Sequence, residues 1–160
     1  MKKLFLLGVL AIGFASLSSA QDIAKNAIGL RIGDSNGFGT EVSYQRALGE
    51  SNRLEADLGW RSGRDYTGFK LVGLYQWVWH LDGDFNWYAG AGGGFGTYDY
   101  DNTNGKDYNR TFGLLAGDVG VEYSFDFPLL LSLDFRPELG FGSSTTDLDF
   151  DIALGVRYQF

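Results

Sequence analysis

The chain has 160 residues, enough for one domain, and 20 acidic against 13 basic side chains give it a formal net charge of −7. This acidity argues against nucleic acid as a partner, because nucleic-acid binding needs a basic surface. The chain contains no cysteine, which excludes disulfides and a cysteine nucleophile. Its 24 glycines against only 2 prolines are unlike a disordered linker.

The first 20 residues have the pattern of a cleaved secretory signal peptide. Two lysines precede an apolar run over 4–15 that is too short to span a bilayer as a helix, and small residues precede a predicted cut before Gln21. We therefore expect a signal peptide over 1–20 and one mature domain over 21–160. Cleavage removes two lysines and no acid, so the formal net charge of the mature chain becomes −9.

The mature chain alternates apolar and polar side chains in eight stretches. Because successive side chains on a strand face opposite sides, each stretch predicts a strand with one apolar and one polar or small face. The predicted strands are 27–33, 38–48, 53–61, 68–80, 85–98, 111–125, 129–141 and 148–160. They follow one another through turns and loops, which predicts an all-β, eight-stranded, antiparallel up-and-down barrel. Both parities of 68–80 contain apolar residues, and we assign its aromatic parity to the outside.

This alternation fits a soluble, lipocalin-like barrel with an apolar interior and a transmembrane barrel with an apolar exterior. Aromatic residues near both ends of the strands favour the transmembrane barrel, because such rings settle at the two bilayer interfaces. One predicted girdle contains Tyr44, Trp77, Trp79, Trp87, Tyr123, Tyr158 and Phe160, and the other contains Phe38, Trp60, Phe69, Phe95, Phe141 and Phe150. With a periplasmic N-terminus, the periplasmic turns are short and the longest predicted loop, 99–110, lies outside the cell.

In a transmembrane barrel the polar parity lines the lumen. Eight strands leave an interior just filled by side chains, and charges buried there need partners, so we predict an ion-pair network in which acids outnumber bases. Its predicted members are Arg31, Glu41, Glu55, Asp57, Arg61, Lys70, Asp118, Glu122, Asp134, Arg136, Glu138, Asp151 and Arg157. The inward glycines of 85–98 are expected to leave room for arginine and lysine side chains of the opposite wall. Pro137 predicts a local bulge, because proline cannot donate to a ladder.

Three patterns resemble catalytic or ligand-binding sites, but each lacks a residue or a position that such a site requires. His80, the single histidine, lies at the predicted periplasmic end of its strand, whereas an outer-membrane hydrolase or acyltransferase would need it at the outer rim. The glycine run 90–96 lacks the Gly-Lys-Ser/Thr ending of a phosphate loop. The loop 99–110 begins like an EF-hand, but its glycine is one place late and Arg110 replaces the final glutamate. We predict no catalytic residue, no cofactor and no metal site, while weak cation binding by this loop stays open.

The chain resembles the small eight-stranded outer-membrane barrels of the OmpA/OmpX type, and most closely the single-domain outer-membrane β-barrel proteins of Bacteroidota, over the whole of 21–160. The resemblance depends on the signal peptide, the strand pattern and the terminal sequence 156–160. In that family the barrel assembly machinery reads the last strand with its C-terminal aromatic residue. The resemblance therefore implies an assembly signal made by Gly155, Val156, Tyr158 and Phe160.

The sequence as a whole predicts a monomeric, non-enzymatic integral protein of the outer membrane, surrounded by outer-membrane lipid. Its charged lumen would be plugged by side chains, and its role would be envelope structure or surface interaction through ligands that the sequence does not identify. A narrow, porin-like channel for small solutes is the alternative, and it would need a continuous wet path. An outer-membrane enzyme and a soluble carrier are the less favoured interpretations.

Overall fold

The computed structural model describes residues 23–35, 38–62, 66–100, 108–142 and 146–160. The predicted signal peptide and parts of four connections lie outside these ranges. No helix within them is both long and apolar enough to cross a bilayer.

Eight strands form one closed antiparallel barrel, in which each strand pairs with its neighbours in sequence and the last pairs with the first. The strands are β1 (Asn26–Ser35), β2 (Phe38–Ala47), β3 (Asn52–Ser62), β4 (Tyr66–Asp82), β5 (Phe85–Tyr100), β6 (Tyr108–Ser124), β7 (Leu129–Phe141) and β8 (Thr146–Gln159). This architecture confirms the predicted eight-stranded, up-and-down barrel.

The closing seam joins β1 to β8 in an antiparallel register. Ile28 pairs with Tyr158 and Ile32 pairs with Leu154, so the outward apolar rows of the two strands become neighbours. At the end of the seam the backbones of Asn26 and Phe160 exchange two hydrogen bonds of 3.0 and 2.9 Å. Phe160 is therefore held against β1 by backbone hydrogen bonds.

The side chain of Asn26 also ties this seam to β2. Its Oδ1 accepts hydrogen bonds from the Tyr44 hydroxyl at 2.9 Å and from the Arg46 guanidinium at 2.7 Å. We call the end of the barrel that carries Asn26 and Phe160 the turn end, and the opposite end the loop end.

Six of the eight strands are longer than the sequence pattern predicted, among them β4, β5 and β6. β5 and β6 remain paired as far as Tyr100 and Tyr108, and β4 begins at Tyr66. The predicted loop 99–110 is thus shortened to 101–107, which lies outside the described residues. Tyrosine has a high strand propensity, and Tyr98, Tyr100 and Tyr108 lie in this longer hairpin. The charged and polar residues next to them in the sequence predicted a loop instead.

The predicted bulge at Pro137 is wrong. β6 and β7 pair Ala116 with Glu138 and then Val119 with Phe135, so two residues are skipped on each strand and the register is unchanged. Proline removes a ladder hydrogen bond on this edge because it has no N–H, but no extra residue is inserted. On its other edge Pro137 stays paired with β8.

The wall of the barrel is inverted relative to that of a soluble protein. Large apolar side chains point outward along all eight strands and are exposed, while most inward side chains are buried and polar. On β8, for example, Ile152 is 67% exposed and its neighbour Asp151 is 1% exposed. The aromatic parity of β4 faces outward, as predicted, since Phe69 is exposed and Lys70 is buried.

Candidate functional site

The candidate site is the lumen, where the structure buries twelve of the thirteen predicted charged residues. The exception is Arg61, which has the inward parity but is exposed. Its placement in the buried network was wrong because the pairing of β2 with β3 reaches only as far as Gly59, so β2 no longer covers Arg61. Arg53 at the opposite end of β3 is buried instead.

Arg31 on β1 forms ion pairs with acids on three other strands, β2, β7 and β8. Its guanidinium lies 3.0 Å from Glu41 on β2 and 2.6 Å from Asp151 on β8, and it also binds Asp134 on β7. All four side chains are at most 3% exposed. The contacts therefore tie four strands together inside the barrel.

Arg136 on β7 crosses the lumen. Its Nη2 lies 2.9 Å from Glu55 and 2.7 Å from Asp57, both on β3, and its Nη1 lies 3.5 Å from Glu41 on β2. β7 has no ladder with β2 or β3, so these ion pairs connect opposite walls. A cation bound by several carboxylates in this way meets the requirement that a buried charge has close partners.

Four more ion pairs link strands that are not neighbours in the sheet. They are Arg53 with Glu122 at 2.8 Å, Lys70 with Glu41 at 3.3 Å and with Glu138 at 3.1 Å, and Arg157 with Glu55 at 3.2 Å. They join β3 to β6, β4 to both β2 and β7, and β8 to β3. The lumen is therefore crossed by side chains along much of its length.

Neutral polar residues complete the network, and the sequence reasoning missed them together with Arg53. The Arg157 guanidinium donates to the hydroxyls of Ser43 at 2.9 Å and Ser132 at 2.8 Å. Arg53 donates to the Gln76 oxygen at 2.6 Å. The signal that could have found Arg53 is its parity, since it lies two residues before Glu55 and so faces the same way.

The buried charges do not balance. Among the side chains that the structure describes, eight acids and five bases are buried in the lumen, which leaves an excess of three acids. Seven of these acids lie within ion-pair distance of a base, but Asp118 has no such partner among the described residues. Its Oδ2 accepts a hydrogen bond from the Gln76 amide, and its Oδ1 has no hydrogen-bond partner within the described chain.

One side of the lumen is apolar. A buried cluster on β4 and β6 consists of Val72, Leu74, Leu114 and Ala116, and Phe112 packs against it. The Phe112 ring stacks on Tyr98 with a centroid distance of 5.6 Å and an interplanar angle of 21°. The loop end of the lumen is thus occupied by aromatic and aliphatic side chains as well as by ion pairs.

Two inward glycines of β5 leave room for side chains of the neighbouring strands. A Cβ at Gly96 would contact the Phe112 ring of β6, and a Cβ at Gly90 would lie 2.8 Å from the Gln76 side chain of β4. That these glycines also make room for arginine and lysine side chains of the opposite wall stays a prediction.

Within the described residues, no group of three or more His, Cys, Asp or Glu side chains could hold a metal ion. His80 lies half-buried near the turn end of β4, opposite Asn86 of β5. This is the end at which the sequence placed it. The predicted absence of a catalytic centre stays a prediction.

The closed barrel with an apolar exterior and a charged interior defines the class of protein: the fold is that of the small eight-stranded outer-membrane β-barrels. Neisserial surface protein A is similar to this chain with a TM-score of 0.61 and 15% identity, covering 84% of this chain and 94% of that one. The N-terminal β-barrel domain of OprF from Pseudomonas aeruginosa has a TM-score of 0.63 and 12% identity over 83% of this chain and 96% of the domain.

Ail, the attachment invasion locus protein of Yersinia pestis, is also similar, with a TM-score of 0.58 and 15% identity over 84% of this chain and 96% of Ail. No protein-family model matches the sequence, and no curated protein matches it either. At these identities the likeness establishes the fold.

Proposed function

We propose that this protein is an integral outer-membrane barrel that acts without catalysis, in envelope structure or in surface interaction. The observation that carries the proposal is the inversion of the wall, with aliphatic and aromatic side chains exposed around a buried charged interior. Such an exterior would be costly in water, whereas a bilayer offers the apolar surroundings that it requires.

Aromatic residues at two levels of the wall support this placement. Near the turn end, Trp79 and Trp87 stack with their ring centroids 4.4 Å apart, and near the loop end Phe69 and Phe95 meet edge to face at 6.1 Å. The other residues of the two predicted girdles also have the outward parity, apart from Phe38, whose side chain lies outside the described set. Rings at two levels with aliphatic residues between them fit the two interfaces of a bilayer.

The ion pairs across the lumen favour a plugged barrel over a porin-like channel. A channel for small solutes needs a continuous wet path, but Arg31, Arg136 and Lys70 each bind acids from other strands and are at most 1% exposed. We therefore propose that the ion-pair network fills and stiffens the barrel.

Several finer features belong to the same proposal. The turn end would face the periplasm, a signal peptide over 1–20 would direct export, and the chain would be a monomer of the Bacteroidota barrel type. The last strand, with Gly155, Val156, Tyr158 and Phe160, would be read by the barrel assembly machinery. The names of two similar proteins, a surface protein and an attachment protein, support a role at the cell surface.

Cell fractionation tests this location. We expect the protein in the outer-membrane fraction, resistant to extraction with sodium carbonate and released by detergent. We also expect unheated samples to migrate differently from boiled samples on a denaturing gel, because a closed barrel of this type resists unfolding by the detergent. Recovery in the soluble periplasmic fraction without detergent would contradict the proposal.

A further inference from the structure

A cavity of about 160 Å³ opens at the turn end of the lumen. Its polar wall includes Gln45, Arg53, Asn86 and Glu122, and its apolar wall includes Ala27 and Leu130. All six side chains are at most 3% exposed, so the cavity is set into the barrel. A cavity of this size with several polar groups is large enough for water or a small solute.

The charged pair in this cavity has unused hydrogen-bonding capacity. Arg53 Nη2 lies 2.8 Å from Glu122 Oε2, yet neither atom has a hydrogen-bond partner of good geometry among the described residues. The Asn86 amide donates to the other carboxylate oxygen over 3.4 Å, which is long for such a bond. Glu122 Oε1, to which the described residues supply this one long bond, is therefore able to accept a further donor from a molecule in the cavity.

The lumen behind this pair contains more acids than bases. Arg53 is bonded to Gln76, which in turn is bonded to Asp118. The ion pair of Arg53 with Glu122 is neutral overall, so the excess of acids over bases among the described lumen residues determines the sign of the potential. A cation in the cavity is attracted and an anion is repelled.

Beyond the cavity, side chains extend across the described part of the lumen. Towards the loop end it contains the ion pairs of Arg31, Lys70 and Arg136, and beside them the apolar cluster covered by Phe112. A solute that enters at the turn end therefore meets a barrier within the barrel. The cavity is a recess with one entrance.

We propose that this recess is a vestibule for water and small organic ammonium ions, entered from the turn end and ending at the pair of Arg53 and Glu122. The ammonium group would bind the Glu122 carboxylate and the amide oxygens of Gln45 and Asn86, while the alkyl part would lie against Leu130. One carboxylate with amide oxygens and an apolar wall suits such an ion better than a metal. The inference rests on the plugged lumen of the proposed function.

Single cysteines in this cysteine-free chain test the vestibule. Asn86→Cys and Ala116→Cys are a matched pair, because Asn86 is 3% and Ala116 is 5% exposed, but only Asn86 lines the cavity. The folded variants are treated in detergent micelles, where both barrel ends are accessible, with trimethylammonium-ethyl methanethiosulfonate. We expect Ala116→Cys to react at least about 100-fold more slowly than Asn86→Cys, since its reaction requires local opening of the barrel.

A second reagent tests the charge preference. The rate with the cationic reagent is divided by the rate with the anionic sulfonatoethyl methanethiosulfonate. We expect this ratio to be about tenfold higher at Asn86→Cys than at Ser51→Cys, which lies on an exposed turn. A ratio equal to that of Ser51→Cys would overturn the cation preference.

The outcomes separate this inference from the proposed function. An unreactive Asn86→Cys in a folded, heat-modifiable barrel would overturn the vestibule and leave the plugged lumen standing. Equal rates at Asn86→Cys and Ala116→Cys would mean that the lumen is open throughout, which would contradict both. Heat-modifiable migration of each variant establishes that the barrel has folded.

Discussion

Leu133→Arg should lower the free energy of unfolding in lipid by about 2–4 kcal/mol, because it places a guanidinium against acyl chains near the bilayer midplane. Leu133 points outward and is 52% exposed. It pairs with Leu154 of β8, which lies midway between the outward aromatic residues Phe150 and Tyr158. These neighbours place Leu133 in the middle of the aliphatic part of the wall.

The loss is measured by urea titration of the protein folded into phospholipid vesicles. Leu148→Arg is the matched control, since Leu148 also points outward and is 59% exposed but lies beyond Phe150 towards the loop end. At this shallower depth we expect a loss of only about 0–1 kcal/mol. Equal losses at the two positions would contradict the depth that the aromatic girdles assign to them.

Arg136→Met should lower the free energy of unfolding by about 3–5 kcal/mol, because it leaves buried carboxylates without their shared cation. Arg136 is fully buried and binds Glu41, Glu55 and Asp57. Methionine keeps much of the volume of the arginine stem, so the loss reports mainly the missing charge. Asp57 is affected most, since Glu55 keeps Arg157 and Glu41 keeps Arg31.

The same urea titration compares Arg136→Met with Arg61→Met. Arg61 is exposed near the loop end, where an ion pair contributes at most about 1 kcal/mol, so its replacement should have a small effect. Adding Asp57→Asn to Arg136→Met should recover part of the stability, because it removes the carboxylate left without a partner. Similar losses for the two arginines would show that the buried network does not stabilise the barrel.

The barrel and its two faces were predictable from the sequence because a strand encodes its faces with a period of two. Ile28 and Ile32 on β1, and Leu154 and Tyr158 on β8, have the same parity as the other outward rows, and they meet at the seam. The partners within the lumen could not be predicted in this way. Which base reaches which acid depends on the tilt and stagger of the strands, which alternation does not record.

Arg53 and Arg61 illustrate this limit. Both have the inward parity of β3, but Arg53 is buried and Arg61 is exposed, because burial depends on how far the neighbouring strands extend. Gly96 and Phe112 illustrate a second limit of the sequence pattern. Only the pairing of β5 with β6 places the Phe112 ring over Gly96. Pairing register and the volumes of adjacent side chains determine these details.

The closed lumen is the central claim, and electrical recording from planar bilayers tests it most directly. The purified barrel, refolded and shown to be heat-modifiable, is added to a lipid bilayer under an applied voltage. We expect no steady conductance above that of the bare bilayer, because the ion pairs of Arg31, Arg53, Lys70, Arg136 and Arg157 cross the lumen. Reproducible, steady conductance steps would contradict the account and favour the narrow channel.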